Sequence, residues 1–452
     1  MHPLLVLLLA TIAVFVLIIR LKINAFVALI LSAILIGILS PQIALADVIP
    51  EVTSRFGRVV GNIGVAIAMA AVIGHCLMES GAADKITRQF IRWLGEKYSS
   101  ASMLVSGFVL SIPVFSDTVF YLLIPLARAM TIRNGGRRYV LNVLSIGAGA
   151  LATHIFVPPT PGPLAMAATL NIDIGIVMIV GLIIGVPSAF AAWLYAIWID
   201  RRLNIAVREA PGASIAELED IAKRPEADLP SFSSSLLPIV LPVVLITGNT
   251  VSNNLYPGSA FAQQMAFWGN ANLALILSAA CALWGLARQK GLGLRGLAGP
   301  AEKAIKDAGL IILITAGGGA FGGMLVAAGV GDVLSEGATN AGVSYLILGF
   351  GTAMLLRIAQ GSATVAMITV AQILAPIAAG APLAYHPVYL LIATGGGSIT
   401  AGWMNDSGFW VYRTMTGLTE MEALQTKSAC LSVMGVTALL CAWLGTVLFP
   451  MV

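Results

Sequence analysis

Thr153 to Pro163 reads THIFVPPTPGP, which places four prolines in its last six residues. The string lies inside an apolar run that begins near Tyr139 and continues to Ile172. Proline removes a backbone donor and its ring clashes with the preceding turn, so a helix cannot run through this segment. At about 1.5 Å of rise per residue, the break falls close to half depth in a bilayer entered near residue 139. Irregular backbone at that depth is tolerated only where protein or a water-filled cavity satisfies its polar groups. The stretch therefore predicts a membrane helix deliberately broken in the middle.

Composition agrees along the whole chain. Of 452 residues, 58% are hydrophobic and 10% charged, and mean hydropathy is +0.93. Soluble domains carry about 25% charged residues, so this chain has too little charge to coat a globule. Apolar runs of bilayer-spanning length recur from end to end. A soluble enzyme, a disordered protein and a nucleic-acid binder are excluded, leaving an all-α polytopic protein whose partner is the lipid bilayer. The net charge of +4 is uninformative by itself. Cys76, Cys281, Cys430 and Cys441 lack metal or redox spacing. Leu4 to Ile19, closed by Arg20 and Lys22, reads as a retained first helix.

Full crossings are expected near 4–19, 23–46, 61–80, 139–172 and 174–198, then near 235–253, 270–287, 308–330, 387–420 and 430–449. Two apolar stretches, 100–131 and 344–376, are interrupted by SIPVFSDT (Ser111 to Thr118) and RIAQGSAT (Arg357 to Thr364). Their arms are too short for a core of about 30 Å. Lys85, Arg88, Arg92 and Lys97 precede the first, and Arg128, Arg133, Arg137 and Arg138 follow its break; the second is flanked only by Asp332 and Glu336. Because cytoplasmic loops are rich in Lys and Arg, the two are expected to be re-entrant hairpins entering from opposite faces. With both termini external, 22 of the 25 Lys and Arg fall inside, Arg55 and Arg58 outside, and Arg357 within a hairpin. A polar segment, 199–232, reads as a cytoplasmic linker with a capping box at Ser214 and Glu217.

An internal repeat organises these pieces. ALILSA occurs at Ala28 and at Ala274, and GHCLMESGAADKI from Gly74 aligns with GGMLVAAGVGDVL from Gly322. GAGALATHIFVPPT from Gly147 falls over GGGSITAGWMNDSG from Gly395. All three share an offset near 248. The expected fold is two inverted repeats, residues 1–198 and 233–452, each with five crossings, one hairpin and a broken helix (139–172 and 387–420). Inverted repeats whose broken helices meet at half depth are a common secondary-transporter plan.

Four breaks then supply the candidate site. Ser116, Asp117 and Thr118 form the first hairpin tip; Gly361, Ser362 and Thr364 form the second. His154 and Thr160 belong to the first broken helix, and Gly395, Gly396, Gly397, Asn405 and Asp406 to the second. Helices restarting after a break present free N–H groups suited to a carboxylate. Acids at membrane depth are costly and mark function, so Asp117 and Asp406, with His154, are the proton-coupling candidates. Alternatives stay open: Ser116 as a helix cap, His154 as a core histidine, and Arg357, the only base within a membrane element, as a salt-bridge partner of Asp117 or Asp406 rather than an anion attractor. Gly317 to Gly319 read as packing glycines rather than a phosphate loop.

These segments resemble the gluconate permease family, the gluconate:proton symporters of the ion-transporter superfamily. FSDTVFYLLIPL (Phe115 to Leu126), THIFVPPTPGP, GGGAF (Gly317 to Phe321), LRIAQGSATVA (Leu356 to Ala366) and NDSGFW (Asn405 to Trp410) carry the likeness over both halves. The resemblance implies proton-coupled uptake of sugar acids, or D-serine in some members, across the bacterial cytoplasmic membrane, without cofactor or metal. Where gluconate-type members carry histidine this chain has Thr160; their Tyr-Glu pair is Ser116-Asp117, and a Ser-His pair is Gly402-Trp403. The expected substrate is a sugar-acid anion, with a three- or four-carbon acid favoured because Trp403 would reduce the space. The rivals are a sodium-coupled carboxylate symporter using the same tips, a channel, and an intramembrane enzyme, the last lacking any HExxH or nucleophile–base pairing. A homodimer is left open.

Overall fold

Every element of the computed structural model is helical, and it describes all residues except 134–135, 137, 209–227, 331–332, 334–343, 381–382, 405 and 452. The first half runs α1 (Pro3–Phe15, prolonged by a π turn to Arg20), α2 (Ala25–Leu39), α3 (Val48–Glu79), α4 (Ala82–Leu94), α5 (Ser99–Leu110) and α6 (Ser116–Arg133). It ends with α7 (Tyr139–Phe156), α8 (Pro161–Thr169) and α9 (Ile174–Leu203). The second half holds α10 (Phe232–Leu255), α11 (Ala260–Trp268), α12 (Ala271–Lys290), α13 (Ala298–Ala327), α14 (Tyr345–Gln360) and α15 (Ala363–Gly380). It closes with α16 (Val388–Ile399), α17 (Ser407–Thr416) and α18 (Glu420–Leu448), which contains a π segment at Leu424–Ser428. Among the described residues, seven segments are long and apolar enough to cross a membrane. The expected capping box at Ser214 and Glu217 lies outside the described residues, as do Asp332 and Glu336.

The four interruptions fall where the sequence places them. The prolines divide α7 from α8, and the glycine-rich mate divides α16 from α17. SIPVFSDT separates α5 from α6 and RIAQGSAT separates α14 from α15. The broken helices form the centre of the molecule: α7 packs between α5 and α9, and α16 between α14 and α18. Every residue of α16 is buried. In lipid, apolar burial alone gives little drive for helix association, and close van der Waals contact between small residues takes over. A Cβ on Gly149 would overlap the Leu104 carbonyl and one on Gly397 the Phe350 carbonyl, so each glycine lets its broken helix touch the backbone beside it. Gly317, Gly318 and Gly319 lie inside α13 against Phe26, Ile368 and Val59, which makes them packing residues.

Three helix starts differ from expectation, among them the crossing expected at 308–330, which begins ten residues earlier, at Ala298. The crossing expected at 61–80 begins thirteen residues earlier, at Val48, so Arg55 and Arg58 sit in a helix rather than an external loop. Arg55 pairs with Glu51 one turn back at 2.9 Å, and its stem packs on Gly323 of α13. The crossing expected at 430–449 begins at Glu420, because Thr419 and Glu422 form a reciprocal capping box there. Two short helices, α4 and α11, were not anticipated. α4 is amphipathic, burying Ala82, Ala83, Ile86 and Thr87 on one side while its other side carries Arg92.

Candidate functional site

The helix termini created by the breaks converge on one cavity of about 160 Å³. α6 brings Ser116 and Asp117 in its first turn, and the second tip brings Arg357, Gly361, Ser362 and Thr364. The break after α16 brings Asp406 and Gly408, and α7 contributes His154. Lys427, from the π segment of α18, completes the set. A π turn inserts one extra residue into a helical turn and is frequent at functional sites.

Asp406 is the hub. Its Oδ2 accepts from Arg357 Nη2 at 2.6 Å and from Lys427 Nζ at 3.3 Å, while Oδ1 accepts from the Gly408 N–H at 3.0 Å as the N-cap of α17. Arg357, only 4% exposed, also donates through Nη1 to the Gly361 carbonyl and so holds the second tip. Of the two acids named as salt-bridge partners for Arg357, Asp406 is the one it meets. Gly408 sits where the charges meet. A Cβ there would stand 2.9 Å from Lys427 Nζ, 3.2 Å from Asp117 Oδ1 and 3.4 Å from Asp406 Oδ1. Asp117 thus shares this space, yet its carboxylate enters no salt bridge among the described residues.

Uncharged groups line the rest. The Ser362 hydroxyl accepts from the Val365 N–H at 3.3 Å, capping α15 while still facing the cavity. His154 Nδ1 is buried with no hydrogen-bond partner among the described residues, and its ring meets Phe115 edge-on at 6.0 Å. An unpaired polar atom at the wall of a cavity is a waiting donor or acceptor.

Not all candidates gather here. Thr118 turns to the opposite side of the first tip. The Thr160 hydroxyl donates to the Val157 carbonyl at 2.7 Å within the proline break. Gly395, Gly396 and Gly397 are buried in helix contacts against Ile155, the Gly435 carbonyl and the Phe350 carbonyl. Asn405 lies outside the described residues. Trp403 is 45% exposed and donates to the Ile358 carbonyl at 2.8 Å, so it does not narrow the cavity. Lys427 is the functional group that sequence reading missed, and Arg357 is therefore not the only base in a membrane element. The T-x-x-E string at Thr419–Glu422 marks a helix start and places Lys427 two turns inside it.

A bundle of broken membrane helices around a buried, charge-lined chamber is the architecture of a membrane permease. The sequence comparisons agree: the model of the GntP family permease family matches residues 2–448, and the chain belongs to that family. It is 35% identical to a gluconate permease of Pseudomonas aeruginosa over 95% of this chain and 94% of that one. An uncharacterized permease of Haemophilus influenzae is 34% identical over 93% and 87% of the two chains. An L-idonate transporter of Escherichia coli is 30% identical over 97% and 98%. Among solved structures, the YdaH transporter of Alcanivorax borkumensis, described as having an unusual topology, shares the fold with a TM-score of 0.62 at 15% identity, each chain covered completely. The protein is a multi-pass membrane transporter.

Proposed function

We propose that this transporter is a symporter that carries a small sugar-acid anion together with a proton. The observation that carries the reading is the charge balance of the cavity. Asp117 and Asp406 oppose Arg357 and Lys427, so the empty site sums to zero. A carboxylate entering this enclosed space adds an uncompensated negative charge, and burying an unpaired ion is costly. Protonation of Asp117, the acid outside the salt bridges, restores neutrality, so substrate and proton load together. Arg357 and Lys427 attract the carboxylate, and Ser362, Thr364 and His154 meet its hydroxyls.

The relatives named for gluconate and L-idonate support the sugar-acid class. Size supports a shorter acid: a cavity of about 150 Å³ holds one benzene, and this one is about 160 Å³. A three- or four-carbon hydroxy acid matches that space in the conformation seen, so D-glycerate is expected to displace bound ligand more strongly than gluconate in a competition assay. Stronger displacement by gluconate would remove the size argument.

Inverted repeats remain our reading of how the site moves. Supporting it, α6 and α15 are both 18 residues long and start 247 residues apart (363 − 116), and the Gly149–Leu104 contact has its mate in Gly397–Phe350. We place the protein in the cytoplasmic membrane of a bacterium from its likeness to bacterial permeases, and both termini outside from the distribution of Lys and Arg; Lys427 leaves the cytoplasmic tally and joins the site.

Asp117→Asn tests the coupling. In proteoliposomes it is expected to abolish accumulation driven by a pH gradient while substrate counterflow persists. Undiminished pH-driven accumulation would remove the assignment. Accumulation that follows sodium and ignores pH would transfer the neutralising role to a sodium ion.

A further inference from the structure

A second cavity, of about 80 Å³, lies behind the first tip. It is bounded by Gly74, His75 and Met78 of α3, by Ala304 of α13, and by Phe115 and Thr118 of the tip. The tip is a wall one chain thick. Ser116 and Asp117 face the substrate cavity, while their immediate neighbours Phe115 and Thr118 face the second one. The Phe115 ring, which lines the second cavity, lies edge-on to His154, which lines the first. α3 closes on the wall tightly enough that a Cβ at Gly74 would stand 3.4 Å from Val114.

We infer that this second cavity is the route by which the coupling proton passes between Asp117 and an aqueous face, with Thr118 and His75 as its relay groups. The inference rests on the proton-coupled reading above. Three observations support it. The volume suits about two or three waters, at roughly 30 Å³ each in the liquid, and is too small for a sugar acid. The lining offers no Lys or Arg to hold an anion; His75 and Thr118 are its polar side chains, and both can accept and donate a proton. The far end reaches solvent: His75 Nε2 lies 3.2 Å from Glu79 Oε1 without hydrogen-bond alignment, and Glu79, 31% exposed, pairs with the 42% exposed Lys290 at 2.9 Å. The charged groups around His75 are Glu79 one turn on, Lys290 of α12 and, acting on Glu79, Lys303 of α13.

A proton leaving Asp117 passes to water, the Thr118 hydroxyl hands one on as it receives one, and His75 takes up and releases one toward Glu79. Each relay group ends as it began, so one proton crosses for each turnover of Asp117. The substrate leaves by movement of the tip, and its path is separate.

The test compares two modes of transport of labelled D-glycerate, or of gluconate if only that is bound, by the full-length protein in proteoliposomes. Counterflow needs no net proton movement, whereas pH-driven uptake does. For His75→Gln and Thr118→Val, counterflow is expected within about twofold of wild type and pH-driven uptake lowered by about a hundredfold or more, the usual scale for removing a positioned proton-transfer group. Persistent counterflow also certifies that each variant is folded. Variants that retain full pH-driven uptake, or that lose both modes equally, overturn the route and leave the proton-coupled reading standing. A wild type whose uptake ignores pH overturns both.

Discussion

The two broken helices are alike in packing and unlike in what their breaks do. α7 and α16 occupy equivalent positions, each between two helices of its own half, and each presses a glycine onto a neighbouring carbonyl. The α7–α8 break is closed with backbone and hydroxyls: Val157 is fully buried, Thr160 donates to Val157 and Thr153 to the Phe108 carbonyl at 2.9 Å. The α16–α17 break adds charge, through Asp406, Arg357 and Lys427, to neutral bonds such as that of the Ala401 N–H to the Ser432 hydroxyl at 3.0 Å. The tips follow suit. The Ser111 hydroxyl donates to the Val114 carbonyl at 2.9 Å in the first, and Arg357 donates to the Gly361 carbonyl in the second. Satisfying broken backbone by neutral hydrogen bonds leaves a dry joint, whereas satisfying it by ions leaves polar space beside it. The charged chamber is consequently one-sided, taking three of its four charges from the second half.

Five single substitutions grade that difference. Asp406→Asn leaves Arg357 and Lys427 without their shared partner, and breaking a buried pair typically costs about 3–5 kcal/mol. Uptake is expected to vanish and the unfolding midpoint in detergent to fall sharply, with partial recovery on adding Lys427→Met; a mild effect would mean that the second break is not held by charge. Gly149→Ala and Gly397→Ala each force a carbonyl contact apart, at about 1–3 kcal/mol for overpacking. Thermal unfolding should report similar losses for the two, and a loss confined to one would end the equivalence of the helices. Thr160→Val removes one neutral hydrogen bond, worth about 1 kcal/mol, and uptake should survive it. Abolished uptake there would make the first break part of the chamber. Arg208→Ala removes a partly exposed pair with Glu422, 2.7 Å apart, and such pairs contribute about 0–1 kcal/mol. Its melting curve is expected to be almost unchanged.

Most of the chamber is legible in the sequence because chain breaks have a local cause. Proline cannot donate, and an acid in an apolar run needs a reason to be there. Asp117, His154, Arg357, Ser362, Thr364 and Asp406 were singled out at the breaks and all line the cavity. Thr118, Thr160 and the Gly395–Gly397 run were singled out at the same breaks and do not, because proximity along a chain says nothing about direction. Thr118 follows Asp117 by one residue of α6, a turn of about 100° at 3.6 residues per turn, and faces another cavity. Lys427 was assigned to a loop because hydropathy alone set the start of the last crossing.

Sequence alone determined that the chain is a helical membrane protein, where its helices break and which acids lie among apolar residues, because each of these follows from the chemistry of a few adjacent residues in a solvent without water. Tertiary structure decided which breaks face one another. Only packing could bring Asp117 of one half within reach of Asp406 and Lys427 of the other, leave its carboxylate outside their salt bridges, and turn the neighbouring Thr118 toward a separate cavity, since these relations depend on the relative placement of helices far apart in the chain.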